Sequence, residues 1–103
     1  MSATVLLGLL GCGPVARRYI VPAIGRLTSA RLTAVFDDLP EPRQSVARSA
    51  SGCRAFDSVD AMLAARVVDG VVVAGPIESR ASLTVRALGA GLLGGLVMPF
   101  RDL

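Results

Sequence analysis

With 103 residues, 52% of them hydrophobic and 18% charged, the chain has enough apolar material for one folded core, and a disordered chain is excluded. It is short for more than one domain, so it reads as one unit of something larger, with an apolar surface that expects a partner. The net charge of +3 is carried by eleven arginines without a lysine, spread from Arg17 to Arg101 among few aromatics, which leaves neither a basic stripe nor stacking platforms for a nucleic acid.

Residues 5–10 are continuously apolar apart from Gly8, the pattern of a central parallel strand covered on both faces. Leu9-Leu10-Gly11-Cys12 resembles a lipoprotein cleavage box, but residues 1–4 carry no basic side chain, so no secretory signal is expected. The strand runs into the turn Gly11-Cys12-Gly13-Pro14-Val15-Ala16. In a turn of this form the first glycine allows a tight exit from the strand and the second lets the backbone approach a pyrophosphate. The small third residue lets the following helix pack closely. Amide groups at the helix start, with the positive end of its dipole behind them, then face the phosphates. The helix starts at Pro14, where no backbone donor is lost, and Val15, Ala16, Tyr19, Ile20, Ala23, Ile24 and Leu27 recur at helical spacing as its core face. Pro22 within this pattern predicts a kink or an early end.

Residues 32–36 form a second strand that ends at Asp37, 21 residues after Ala16. That is close to the roughly 20 expected for an acid accepting hydrogen bonds from a ribose 2′-hydroxyl. Strand, glycine turn, helix, strand and acid in this order predict a dinucleotide held by the turn and by Asp37. Asp38 adds negative charge where an additional 2′-phosphate would sit, which favours NAD over NADP. Arg43 reads as a solvated residue of a short helix over 42–51, with the alternative that it lies close enough to the two acids to complicate that preference. Arg17 and Arg18 read as a solvent face, with an approach to the pyrophosphate as the alternative. Cys12 reads as a small loop residue. The alternative for it is a redox-sensitive thiol, since a helix N-terminus lowers a thiol pKa.

Residues 55–56 make a short third strand, and Asp57 or Ser58 caps a helix ending near Arg66. Asp57, Ser58 and Asp60 are explained by capping and the helix dipole and are assigned no chemistry. Residues 67–74 form a turn into a buried fourth strand, and Ala74, Gly75 and Pro76, which close it, complete the expected cofactor contacts. Ser79 caps a helix reaching Gly89 or Gly91, with Glu78 and Arg80 at its surface, and residues 93–98 form a fifth strand. The longest uncharged apolar run, 88–100, falls well below the roughly 18 residues that span a bilayer, so no membrane span is expected. Strands alternating with helices predict an α/β fold of one domain over 1–103. Its sheet is Rossmann-like and parallel, in the order 3-2-1-4-5, with helices on both faces.

Histidine is absent, which removes the side chain most used for proton transfer and metal binding near neutral pH. The two cysteines form no metal-ligand pattern, and a disulfide from Cys12 to Cys53 would distort the glycine turn. A reducing cytoplasm is expected.

Beyond the glycine turn, the chain carries Ala34-Val35-Phe36-Asp37, the segment 55–63 (Ala-Phe-Asp-Ser-Val-Asp-Ala-Met-Leu), an Asp-x-Val-Val-Val-Ala element over 69–74 and Ala87-Leu88-Gly89-Ala90-Gly91. With these it resembles, over nearly its whole length, the N-terminal cofactor domain of the glucose-fructose oxidoreductase, inositol dehydrogenase and rhizopine catabolism (Gfo/Idh/MocA) family. The resemblance implies a nicotinamide dinucleotide and, in an active member, oxidation of a sugar or polyol. Two family markers depart. The Glu-Lys-Pro signature, whose lysine positions or polarises the reacting carbinol, falls on Val97-Met98-Pro99. The Thr-Pro-Asn-x-x-His loop falls on Gly75-Pro76-Ile77-Glu78-Ser79-Arg80.

The sequence also ends at Leu103, ahead of the family's substrate-binding sheet domain. A cofactor-binding module that is catalytically incomplete by itself is therefore expected. The alternatives are one piece of a dehydrogenase whose substrate domain lies elsewhere and an assembly subunit that binds no nucleotide. Leu92, Leu93, Leu96, Val97, Met98 and Phe100 on a terminal strand predict a homodimer, or docking of a separate substrate-domain subunit.

Overall fold

The computed structural model describes residues 4–74, 85–86 and 98–99. Strands β1 (Val5–Leu10), β2 (Ala30–Phe36), β3 (Arg54–Phe56), β4 (Gly70–Val73) and β5 (Met98–Pro99) pair in parallel in the order β3-β2-β1-β4-β5. This is the predicted α/β Rossmann-like sheet. Four strands form its body, and the described part of the fifth is two residues paired with Val72 and Val73. The expected strand over 93–98 otherwise lies outside the described residues, as do most of the apolar positions behind the expected dimer. The same holds for the expected helix from Ser79, apart from helical Val85 and Arg86, and for Gly75, Pro76, Glu78 and Arg80.

β1 is apolar throughout because it is buried on both faces. Leu7 and Leu9 point into one core with Leu32, Val35 and Val72, while Leu10 points into the other with Ala34, Val71 and Val73. The first core is closed by Ala16, Ile20 and Ile24 of the first helical segment and by Val46 of α2 (Pro40–Ser49). The second is closed by Val59 and Met62 of α3 (Val59–Ala64). Helices therefore cover both faces. Gly8 is a packing requirement, since a Cβ there would run into the Met62 Cε and crowd Val68.

Leu32 and Val35 share a face although they are three residues apart, which an unbroken strand forbids. The register between β1 and β2 shifts at Leu7/Gly8, so that Leu32 opposes Leu7 and Ala34 opposes Gly8 with Thr33 as the extra residue. The buried Thr33 hydroxyl donates to the Val67 carbonyl at 2.7 Å and lies 3.4 Å from the Leu7 carbonyl. The bulge is thus stitched to the entry of β4. Asp69 does similar work, its carboxylate accepting from the Leu6 N–H at 2.8 Å and its own N–H donating to the Leu6 carbonyl at 2.6 Å. The Asp-x-Val-Val-Val-Ala element has a structural cause: the acid supplies the acceptor that starts the β1–β4 ladder.

Pro22 does not end the helix, and the backbone irregularity lies in the turn before it. Pro14 and Val15 are already helical, and Ala16–Ile20 forms wide π-type turns in which the Val21 N–H donates to the Ala16 carbonyl, five residues back. Ordinary α-helix follows as α1 (Val21–Gly25). A proline lacks the N–H that would bond the carbonyl four residues back and its ring collides with that carbonyl, here of Arg18, so a widened turn is the local remedy. The widening also corrects the predicted core face. Ala16, Ile20 and Ile24 are buried, whereas Tyr19 and Leu27 are about half exposed, at 47% and 51%, and Ala23 faces solvent. β2 starts two residues before the expected position because Ala30 opposes Val5, and α2 starts at Pro40 rather than Pro42. α3 ends at Ala64, short of Arg66, which takes a positive φ of 54°.

Candidate functional site

Gly11, Asp37 and Ala74 each directly follow the carboxyl end of a strand, and hydrogen bonds join those ends. The Gly11 N–H donates to the Phe36 carbonyl and the Ala74 N–H to the Leu10 carbonyl, each at 2.8 Å. β1 lies between β2 and β4, where the strand order reverses, and a ligand of an open parallel sheet sits in the crevice at that point.

The three small residues of the turn do three different things. Gly11 has φ of 108°, a backbone conformation that costs any residue with a Cβ. Gly13 is outside that region, and a Cβ built on it meets no atom of the described residues within 4 Å. Its lack of a side chain is therefore not needed for packing, and it leaves an open cradle of the kind a pyrophosphate fills. Ala16 is 1% exposed against the first core, where a larger residue would push the helix off the sheet. The Arg17 N–H bonds the Gly13 carbonyl at 3.0 Å, so the helix is engaged immediately after the cradle. Pro14 and Val15 lie in its first turn, Pro14 exposed and Val15 half-buried.

Asp37 meets this turn directly. One carboxylate oxygen accepts from the Cys12 N–H at 2.8 Å and the other from the Leu39 N–H at 2.9 Å. The acid is thus fixed beside the glycine turn, half-buried, with lone pairs left over to accept further hydrogen bonds. Asp38 is exposed next to it. Arg43 is not the solvated helix residue expected: its Nη1 donates to the main-chain carbonyls of Asp37 at 3.1 Å and Asp38 at 3.3 Å. The proximity of Arg43 to the two acids in sequence is realised in the fold, because α2 brings its first turn back to the end of β2.

The redox alternative for Cys12 is also overturned. Its side chain is fully buried and its thiol faces the Phe36 carbonyl at 3.5 Å. Burial first, then the negative charge of Asp37, pushes the thiol up to about 12, and burial pushes Cys53 up to about 11. Desolvation outweighs the helix end that was expected to lower the Cys12 value. Both cysteines are free thiols. Arg17 and Arg18 are exposed, Arg18 lying over the Tyr19 ring at 5.6 Å. Ser58 caps α3, its hydroxyl accepting from the Ala61 N–H at 3.2 Å, and Asp60 pairs with Arg86 at 2.6 Å on the surface. Among the described residues no cluster of three or more histidine, cysteine or acidic side chains can hold a metal ion, and no helix is long and apolar enough to cross a membrane.

Residues 5–96 match the model of an oxidoreductase family with an NAD-binding Rossmann fold, GFO_IDH_MocA. An inositol 2-dehydrogenase of Rhizobium meliloti is 36% identical over 88 residues, which are 85% of this chain and 26% of that protein. The WlbA dehydrogenase of Bordetella pertussis, solved with NADH and UDP-GlcNAcA, is 28% identical with a TM-score of 0.79 over 88% of this chain and 26% of that one. KijD10, a 3-ketoreductase from Actinomadura kijaniata solved with NADP and TDP-benzene, is 26% identical with a TM-score of 0.79 over 85% and 27%. The chain spans about a quarter of the length of the curated relatives it matches. The glycine turn, the acid bonded to it and the sheet order find the same assignment in these comparisons: the chain belongs to the Gfo/Idh/MocA oxidoreductase family and corresponds to its NAD-binding Rossmann domain.

Proposed function

We propose that the chain holds a nicotinamide dinucleotide with its pyrophosphate over Gly11–Ala16 and its adenosine ribose on Asp37, and that NAD is the preferred form. One observation carries this reading. The acid at the end of β2 is bonded to the amide of Cys12 at 2.8 Å, beside a Gly13 whose missing side chain leaves open space. Amides and the helix end would meet the phosphates, Asp37 would accept from the ribose hydroxyls, and Ala74, with Gly75 and Pro76 after it in sequence, would contribute contacts to the nicotinamide half. The dinucleotide when bound supplies hydride transfer, the chemistry this chain's side chains lack.

The chain contributes binding rather than proton transfer. It contains no lysine or histidine, and Met98 stands where the family signature places a lysine. Loss of a general base costs about 10²- to 10⁴-fold in rate. Turnover of a sugar or polyol therefore requires groups from outside these residues, contributed by a substrate domain or a second subunit. Two free cysteines support placement in a reducing compartment such as the cytoplasm. Calorimetric titration with NADH tests the binding reading: saturable heat is expected, and heats equal to those of buffer at millimolar NADH overturn it. Steady NADH formation from NAD and inositol by the purified chain would refute the statement that it lacks a proton-transfer group.

A further inference from the structure

Resting on the dinucleotide reading, we propose that this chain recognises the ADP-ribose moiety and not the nicotinamide, so that free ADP-ribose is a ligand of the site in its own right, held about as tightly as NADH. The strand ends that frame the two halves of the crevice differ in their chemistry, and that difference decides which part of a dinucleotide carries the affinity.

At the ends of β1 and β2 the groups are polar and fixed. The Asp37 carboxylate is held by the amides of Cys12 at 2.8 Å and Leu39 at 2.9 Å. Arg43 ties down the same turn, its Nη1 donating to the Asp37 and Asp38 carbonyls at 3.1 and 3.3 Å. The open space at Gly13 lies next to that acid in the fold, since Cys12 is the residue bonded to it. An acid braced in this way loses little binding free energy to ordering when a ligand arrives. The hydroxyls of a ribose are the donors that such a carboxylate accepts from.

On the other side of β1 the strand ends are apolar. β5 pairs with β4 so that Met98 opposes Val72 and Pro99 opposes Val73, which brings the Met98-Pro99 backbone beside the strand end that Ala74 follows. Val73, Ala74, Met98 and Pro99 carry no side-chain N–H or O–H, and Pro99 has no backbone N–H either. A nicotinamide brings a carboxamide with two donors and an acceptor to this side. Contact between its ring and these residues is favourable, but taking the carboxamide out of water without a partner is not, and the two effects oppose each other. The nicotinamide half therefore adds little, and a ligand that stops at the second ribose keeps the contacts that matter.

The test is calorimetric titration of the purified 103-residue chain with NADH, ADP-ribose and nicotinamide mononucleotide, together with displacement of NADH by ADP-ribose followed through nicotinamide fluorescence. NADH and ADP-ribose should give dissociation constants within about fivefold of each other. ADP-ribose should displace NADH competitively, and nicotinamide mononucleotide should give no saturable heat at millimolar concentration. A difference of more than about fivefold, failure to displace, or saturable binding of the mononucleotide would overturn the proposal, and the dinucleotide reading would stand as long as NADH binds. Binding of neither NADH nor ADP-ribose would remove both.

Discussion

Replacing Asp37 by alanine removes the acceptor for two main-chain N–H groups at once, and the consequence for stability can be worked from their geometry. The bond to the Cys12 amide is 2.8 Å and partly buried, and the bond to the Leu39 amide is 2.9 Å and exposed. A hydrogen bond to a charged group contributes about 1.5–3 kcal/mol when shielded, and one open to water contributes toward the lower end or less. Cys12 cannot turn its amide to solvent easily, because its side chain is fully buried in the first core. The expected loss for Asp37→Ala is therefore about 2–3 kcal/mol. For a domain of this size, with a urea slope on the order of 1 kcal/mol per molar, the midpoint should fall by about 2–3 M. Asp37→Asn should lose about half as much, since its amide oxygen can accept from one of the two N–H groups while its NH₂ faces the other. Urea unfolding followed by far-UV circular dichroism measures all three proteins. A change of less than about 0.5 kcal/mol in the alanine variant would show that Asp37 does not hold the turn, and the preorganised ribose acid would lose its support. If the bond does hold, Asp37→Ala should weaken NADH and NADPH alike through the distorted turn, with an added loss of the ribose contacts for NADH.

Thr33→Val keeps the side-chain shape but leaves the Val67 carbonyl without its 2.7 Å donor, so a loss of about 1–3 kcal/mol is expected in a thermal melt, and an unchanged melt would refute the stitching role of the bulge. The Cys12 thiol should resist a disulfide reagent at pH 8 in the native chain and react on addition of urea; rapid native modification would contradict its burial. With the folded-state value at about 12 and the ordinary value at 9.0, the unfolded chain ionises first, so Cys12 leaves stability unchanged below about pH 9. It lowers stability progressively as pH rises from there toward 12, and Cys12→Ala should flatten that alkaline slope.

The order of strands and the outline of the site were legible because they rest on local signals: an apolar run without alternation, glycine spacing, and an acid at a fixed distance. What escaped were contacts between residues far apart in the chain. Nothing near Asp37 in sequence indicates that its carboxylate holds the Cys12 amide, and the nearness of Arg43 to the two acids in sequence does not show which atoms its guanidinium meets. Thr33 looked like an ordinary strand residue, although the equal facing of Leu32 and Val35 requires an extra residue between them. Pro22 was recognised as an irregularity, but its form depended on tertiary packing: holding Ala16, Ile20 and Ile24 on the sheet favours a widened turn over a break. For Cys12 the sign itself was missed, because burial is a property of the whole fold and the helix end is a property of the segment.

Gly13→Val tests the central claim most directly, because it separates a glycine kept for a ligand from one kept for packing. A side chain at this position meets no atom of the described residues within 4 Å of its Cβ and the backbone needs no left-handed conformation, so stability should change by less than about 1 kcal/mol. The same side chain would stand where the pyrophosphate is held, so NADH affinity, measured by titration alongside the melt, should fall at least tenfold. A valine variant that is folded and binds NADH as the unmodified chain does would contradict the account.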